Sequence, residues 1–357
     1  MIFSLIVLLY FVIIQFFANN VKYNSKDLSY FILFFSFIIL SVLRVYCQSF
    51  FDDIPNYRAI FDTLKPISFV IQNGYGLELN DSDIEVGYRI LNSIFKFFIN
   101  DFFLFLFFIS IFQLSVYYFF CKKFKINVIN AYPIYLALTY ITFQIGMLRQ
   151  AIAFCLFLMA LMFIKRKIIY ILIILLGFTF HKSILFCLVF LWTDKYFKKE
   201  VIYYIFVLSL ILYLFKIDLV NYFMASWGIE DEVEAGKVIF YMNDERENNF
   251  LGIGFWERFI SFILMSFFYF KLLKKNKMTF EKNIIYNLGV FVIFLQMIFF
   301  SSPTITSRLR YYIVIFPFIF ISEYIFSEYK SNIKWLYQFI FCFYLFLYLF
   351  FLTTYLP

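Results

Sequence analysis

The chain has 357 residues, 64% of them hydrophobic and only 15% charged, with a mean hydropathy of +0.85 and a formal net charge of +8. A soluble domain of this length needs far more polar surface to cover its core, so the composition excludes an ordinary soluble enzyme or binding module. Five cysteines without a CxxC pair indicate neither a disulfide framework nor a zinc site, and a single histidine excludes a multi-histidine metal centre.

Charge-free runs such as Phe102–Phe120 match the roughly 20 apolar residues that a helix needs to cross hydrocarbon. They lack the polar residue at every second position that a membrane barrel strand would show. The chain therefore reads as all-α, a polytopic integral membrane protein of about twelve transmembrane helices. In chain order the expected spans are Met1–Phe17, Leu28–Leu43, Phe102–Phe120, Ala131–Met147, Gln150–Ile164 and Lys165–Phe180. They continue with His181–Phe197, Val201–Phe215, Phe255–Leu272, Asn283–Phe300, Arg310–Phe326 and Ile333–Phe351. Residues 1–17 carry neither the basic leader nor the small-residue cleavage site of a signal peptide, so they read as a retained first span.

Lysine and arginine fix the topology. With twelve spans and both termini outside, the inner loops hold 18 of the 31 basic residues, as the positive-inside rule requires. Fusing Tyr170–Trp192 into one span inverts everything downstream and leaves 14 inside. Lys165, Lys167 and Lys195 can snorkel, which lengthens the two short helices around His181. The net charge of +8 is thus membrane topology and not a nucleic-acid surface. Residues 1–357 form a single membrane domain in this reading. Its two larger outer-face loops, 44–101 and 216–254, have room for short interfacial helices.

Charges within or beside hydrocarbon cost about 2.5–3.5 kcal/mol each on insertion scales, so they need a partner or a wet cavity. On the outer side these are Arg44, Asp53, Tyr57, Glu85, Arg149-Gln150, His181-Lys182-Ser183, Arg308 and Arg310-Tyr311. Arg149 stands at a helix start, where a bidentate guanidinium, backbone N–H donors and the helix dipole together suit an anionic phosphate. Arg308 and Arg310 enter an apolar span behind Pro303. Asp53, Glu85 and His181 are the candidate acid–base groups, since each can exchange a proton with a sugar hydroxyl near the membrane surface. Asp81-Ser82-Asp83 matches a DxD metal pattern over three residues only and reads as a polar turn, and the acidic residues at 230–234 and 243–249 read as solvated loop. No Walker A, GxSxG or HExxH pattern occurs, which leaves ATP-driven transport and hydrolase chemistry without support.

The succession Arg44, Asp53-x-x-x-Tyr57, Glu85-x-Gly87-Tyr88, Arg149-Gln150-x-x-Ala153, His181-Lys182-Ser183 and Arg308-x-Arg310-Tyr311 resembles the EpsG family. That family is related to Wzy-type O-antigen and exopolysaccharide polymerases. Phe51 stands where the family commonly carries a glycine, which leaves Asp52 and Asp53 both eligible as the carboxylate. The resemblance implies transfer of a growing glycan from one undecaprenyl diphosphate carrier to another lipid-linked repeat unit, at the outer face of a bacterial inner membrane. Arg44, Tyr57, Arg149, Gln150, Lys182, Arg308, Arg310 and Tyr311 then bind substrate, with Asp53, Glu85 or His181 catalytic. The implied partners are the undecaprenyl diphosphate-linked oligosaccharide, membrane lipid and a chain-length regulator protein. No nucleotide sugar is needed, because the donor arrives activated, and no cofactor or metal is expected. The rival readings are a flippase for the lipid-linked oligosaccharide and an O-antigen ligase.

Overall fold

Pro133 and Pro317 break two of the expected spans, and the path of the chain follows from such local constraints. The structure of the protein is a computed structural model that describes residues 38–39, 41–42, 53–73, 84–144, 146–195, 199–215, 253–299 and 303–328. Among these every regular element is helical and no strand occurs. The expected spans at Met1–Phe17 and Ile333–Phe351, most of Leu28–Leu43, Arg44 and Asp52, and nearly all of the 216–254 loop lie outside the described residues.

Between residues 53 and 98 the described residues form α1 (Asp53–Thr63), α2 (Ile67–Asn73) and α3 (Val86–Phe98). A 22-residue helix, α4 (Phe102–Lys123), follows. The Asp101 carboxylate starts it by accepting the Leu104 N–H at 2.9 Å, a conventional N-cap. Lys125, with φ of 56°, ends it, while Cys121 O accepts the Ile126 N–H at 2.9 Å. This is a Schellman closure built on a lysine instead of glycine.

The expected Ala131–Met147 span is not one α-helix. α5 (Val128–Tyr135) gives way to a π-helical segment at Leu136–Gln144. Pro133 lies inside α5, where it has no N–H for the preceding turn and crowds the carbonyl four residues back. The Tyr135 hydroxyl donates to Gln144 Oε1 and ties the ends of the wider segment together. α6 (Leu148–Met162) and α7 (Lys167–Phe178) come next, then a 3₁₀ helix at Lys182–Trp192. A turn at 179–181 separates these last two helical segments. At about 2.0 Å rise per residue, the 11-residue 3₁₀ segment covers about 22 Å. α8 (Lys199–Leu214), α9 (Ile253–Lys274), α10 (Phe280–Ile298), α11 (Pro303–Arg310) and α12 (Phe316–Glu328) complete the described elements. Arg310–Phe326 is likewise not a single span: α11 stops at Arg310, and a turn leads to α12, whose second residue is Pro317. Proline fits the first turn of a helix but not its interior, so the helix restarts there.

The described residues fall into two units, one ending at Leu185 and resuming at Ile325, the other running from Phe186 to Tyr324. In the first, α6 packs on α4, α7 and the π-helical segment. Nearly all of α6 is buried, including Ala151, Ala153 and Ala160, small residues of the kind that let membrane helices approach closely. In the second unit α10 packs on α8, α9 and α11. A Cβ at Gly289 would lie 2.6 Å from Met265 Sδ and 3.2 Å from the backbone nitrogen of Pro317, so α10 needs glycine at this contact. Asn287 donates to Thr193 O at 2.7 Å and Lys195 O at 2.9 Å, and Asn283 donates to Lys195 O at 3.0 Å. These amides satisfy carbonyls left over where the 3₁₀ segment ends.

By length and composition, Phe102–Lys123 and Phe280–Ile298 are the two described helices able to cross a bilayer unaided. Leu148–Met162, Lys167–Phe178, Lys182–Trp192 and Glu200–Leu214 are apolar but shorter.

Candidate functional site

Two separate stretches of the first unit, around Tyr57 and Glu85, converge on Arg149. The guanidinium sits in the first turn of α6, whose N-cap residue Met147 supplies no side-chain acceptor. A cation is unfavourable at that end of the helix dipole, and the surroundings supply an anion. Glu85, the N-cap residue of α3, forms an ion pair with Arg149 Nη1. The two side chains are only 29% and 16% exposed, so the pair counts for more than a surface salt bridge.

Tyr57 completes the group. It lies on the buried face of α1 with Ile54 and Phe61, and the Arg149 guanidinium both hydrogen-bonds its hydroxyl and stands over its ring, 5.8 Å from the centroid. Burial raises the Tyr57 pKa above its ordinary value; the nearby Arg149 charge opposes that shift, and Asp53 and Glu85 add to it. Asp53, exposed at the first position of α1, is therefore within electrostatic reach of the same phenol. Tyr88 packs edge-on to Tyr57 with ring centroids 5.6 Å apart and is fully buried.

Gly87 joins this cluster to the histidine turn. Its N–H donates to Thr179 O at 2.8 Å, and a Cβ at position 87 would stand 2.8 Å from that oxygen and 2.9 Å from its carbon. Only glycine allows α3 to enter so closely. Two residues after Thr179, His181 Nδ1 lies 2.7 Å from Ser183 Oγ and accepts the Ser183 backbone N–H at 3.3 Å. An Nδ1 that accepts an N–H carries no proton, which puts the proton of the neutral ring on Nε2. In this geometry His181 is a hydrogen-bond donor toward its surroundings.

The structure thus brings Tyr57, Glu85 and Arg149 into direct contact, with Asp53 near Tyr57 and His181 connected through Thr179. Gln150 is buried beside Arg149 in α6, and Lys182 is exposed. Arg308 and Arg310 are half-buried in α11 of the second unit, just before the buried Tyr311. Arg44 lies outside the described residues. Among the described residues no group of three or more His, Cys, Asp and Glu side chains is placed to hold a metal ion. Thr179 is the participant that sequence reasoning missed; it acts through its backbone carbonyl, which leaves no mark in residue type.

Comparison with known proteins bears on this arrangement. A profile of the EpsG family matches residues 27–357. No curated protein and no solved structure matches the chain. The matched range contains every residue of the cluster around Arg149 and extends over nearly the whole chain, so this helical membrane protein belongs to the EpsG family.

Proposed function

We propose that the chain is a membrane polymerase of O-antigen, capsule or exopolysaccharide that moves a glycan from one undecaprenyl diphosphate carrier to another lipid-linked repeat unit. The observation that carries this reading is the convergence of Tyr57, Glu85 and Arg149 at the start of α6. In the reaction an acceptor sugar hydroxyl attacks the anomeric carbon of the donor glycan. The bond from that carbon to the carrier diphosphate breaks, and the hydroxyl proton passes to a protein base. Negative charge grows on the departing diphosphate, where a preorganised donor contributes about 3 kcal/mol.

Arg149 takes that charge, aided by the backbone N–H donors and the dipole at the helix start. Glu85 holds the guanidinium in position until the diphosphate arrives. Asp53, the exposed carboxylate beside Tyr57, is the base, and base catalysis of this kind contributes about 10²–10⁴-fold. His181 donates from Nε2 to the sugar or phosphate, and Tyr57 and Gln150 orient the sugars. Arg308 and Arg310 bind diphosphate as well. The twelve spans expected from the sequence, with lysine and arginine biased inward, support an outer-face site at a bacterial inner membrane.

Arg149→Ala and Asp53→Asn strains with normal protein levels are expected to accumulate single lipid-linked repeat units and lose the polymer ladder. Arg149→Lys, which keeps charge but not the bidentate fork, should retain short polymer. Ladders of wild-type length in both Arg149→Ala and Asp53→Asn would overturn the assignment.

A further inference from the structure

Lys96 lies near the C-terminal end of α3, the helix whose N-cap is Glu85. Its Nζ donates to three carbonyls of a different segment: Phe61 O at 2.8 Å, Asp62 O at 3.2 Å and Leu64 O at 2.8 Å. It also stands 5.0 Å from the centre of the Phe61 ring. An ammonium has three N–H donors, and here each has an acceptor. The carbonyls belong to the C-terminal end of α1, where backbone acceptors lack intrahelical partners and the helix dipole is negative.

α1 needs this attachment. Its 11 residues fall below the roughly 12–15 at which an isolated helix holds in water. Its own Arg58–Asp62 pair is exposed, with the charged atoms 3.9 Å apart, and contributes little. What fixes α1 is the buried face of Ile54, Tyr57 and Phe61 together with the ammonium at its end. α3 in turn is held at its start by Gly87 on Thr179 and Glu85 on Arg149. The chain of contacts therefore runs from Arg149 along α3 to Lys96, and back through α1 to Tyr57 and Asp53.

We propose that Lys96 is a positioning residue for the site around Arg149: by clamping the carbonyl end of α1 to α3, it sets Tyr57 and Asp53 against the Glu85–Arg149 pair. Its catalytic consequence rests on the polymerase reading; the clamp itself does not. A misplacement of about 1 Å in such a constellation costs on the order of a hundredfold in rate.

The test uses the full-length protein in detergent, as wild type, Lys96→Met and Lys96→Arg, with two measurements. In amide hydrogen exchange, Lys96→Met should exchange in residues 53–63 about tenfold faster, with α4 and α6 unchanged. In extension of lipid-linked repeat units, Lys96→Met should lose about ten- to a hundredfold in kcat while KM stays within about twofold. Lys96→Arg, which keeps the charge and donors, should restore most of both. Unchanged exchange in α1 of Lys96→Met overturns the clamp. Faster exchange with a wild-type kcat, or an effect on KM alone, overturns the positioning role. A wild-type protein that extends no units overturns the polymerase reading separately, and exchange then decides the clamp.

Discussion

Tyr57 shows how one side chain can carry a site. Its ring closes the space between α1 and α3, and its hydroxyl accepts from a guanidinium already bound to Glu85. Hydrogen bonds to charged groups contribute about 1.5–3 kcal/mol, so Tyr57→Phe should loosen α1 by that order without unfolding the rest. Burial raises the phenol pKa, with the Arg149 charge opposing. A group whose folded-state pKa lies above its unfolded value of 10.0 contributes stability that is fully present below that pH. The contribution is then lost as pH rises through the folded value. The stability difference between wild type and Tyr57→Phe in detergent should therefore be flat from neutral pH to about 10 and shrink above it. Thermal unfolding followed across that range checks this, and a difference that shrinks between pH 7 and 9 would contradict the assigned environment of Tyr57.

At the scale of elements, α3 enters close against the backbone of the Thr179 turn. A side chain at Gly87 would meet the Thr179 hydroxyl and, behind it, the Thr179 carbonyl, and that backbone cannot rotate away as a flexible side chain would. Gly87→Ala should cost about 1–3 kcal/mol, the usual range for forced overpacking. It should also separate Glu85 from Arg149 and lose the polymer ladder. Gly289 is different, because its nearest neighbour is the flexible Met265 thioether, and Gly289→Ala should be milder. Comparing melting temperatures of the two variants in the same detergent tests the ranking; equal or reversed losses would refute it. The Glu85-x-Gly87-Tyr88 motif was legible as a motif, whereas its partner was not: Thr179 presents a carbonyl, and any residue type has one. Arg149 and Glu85 were each legible as costly charges, but no spacing rule connects residues 64 apart.

For the whole molecule, hydrophobic run length and the distribution of lysine and arginine set the class and the expected sidedness. Cysteine labelling tests that sidedness. In a background with all five native cysteines replaced by alanine, Asn73→Cys should react with a membrane-impermeant thiol reagent added to intact spheroplasts. Lys123→Cys should react only after the membrane is opened. The opposite pattern would invert the topology and move the Arg149 cluster to the cytosolic face.

By itself the sequence marked this as a helical membrane protein, because repeated apolar runs of about 20 residues, in a chain with too little polar surface for a soluble fold, satisfy their backbone as helices in lipid. It also marked the polar residues that such a setting must account for. The tertiary structure decided what those residues do to one another. Proline widened one expected span into a π-helix and split another. Helices α1 and α3 folded so that Tyr57 and Glu85 meet Arg149, held at one end by a glycine against a carbonyl and at the other by Lys96 on three carbonyls. Backbone oxygens and close approaches do this work, and neither is written in the identity of the residues that provide them.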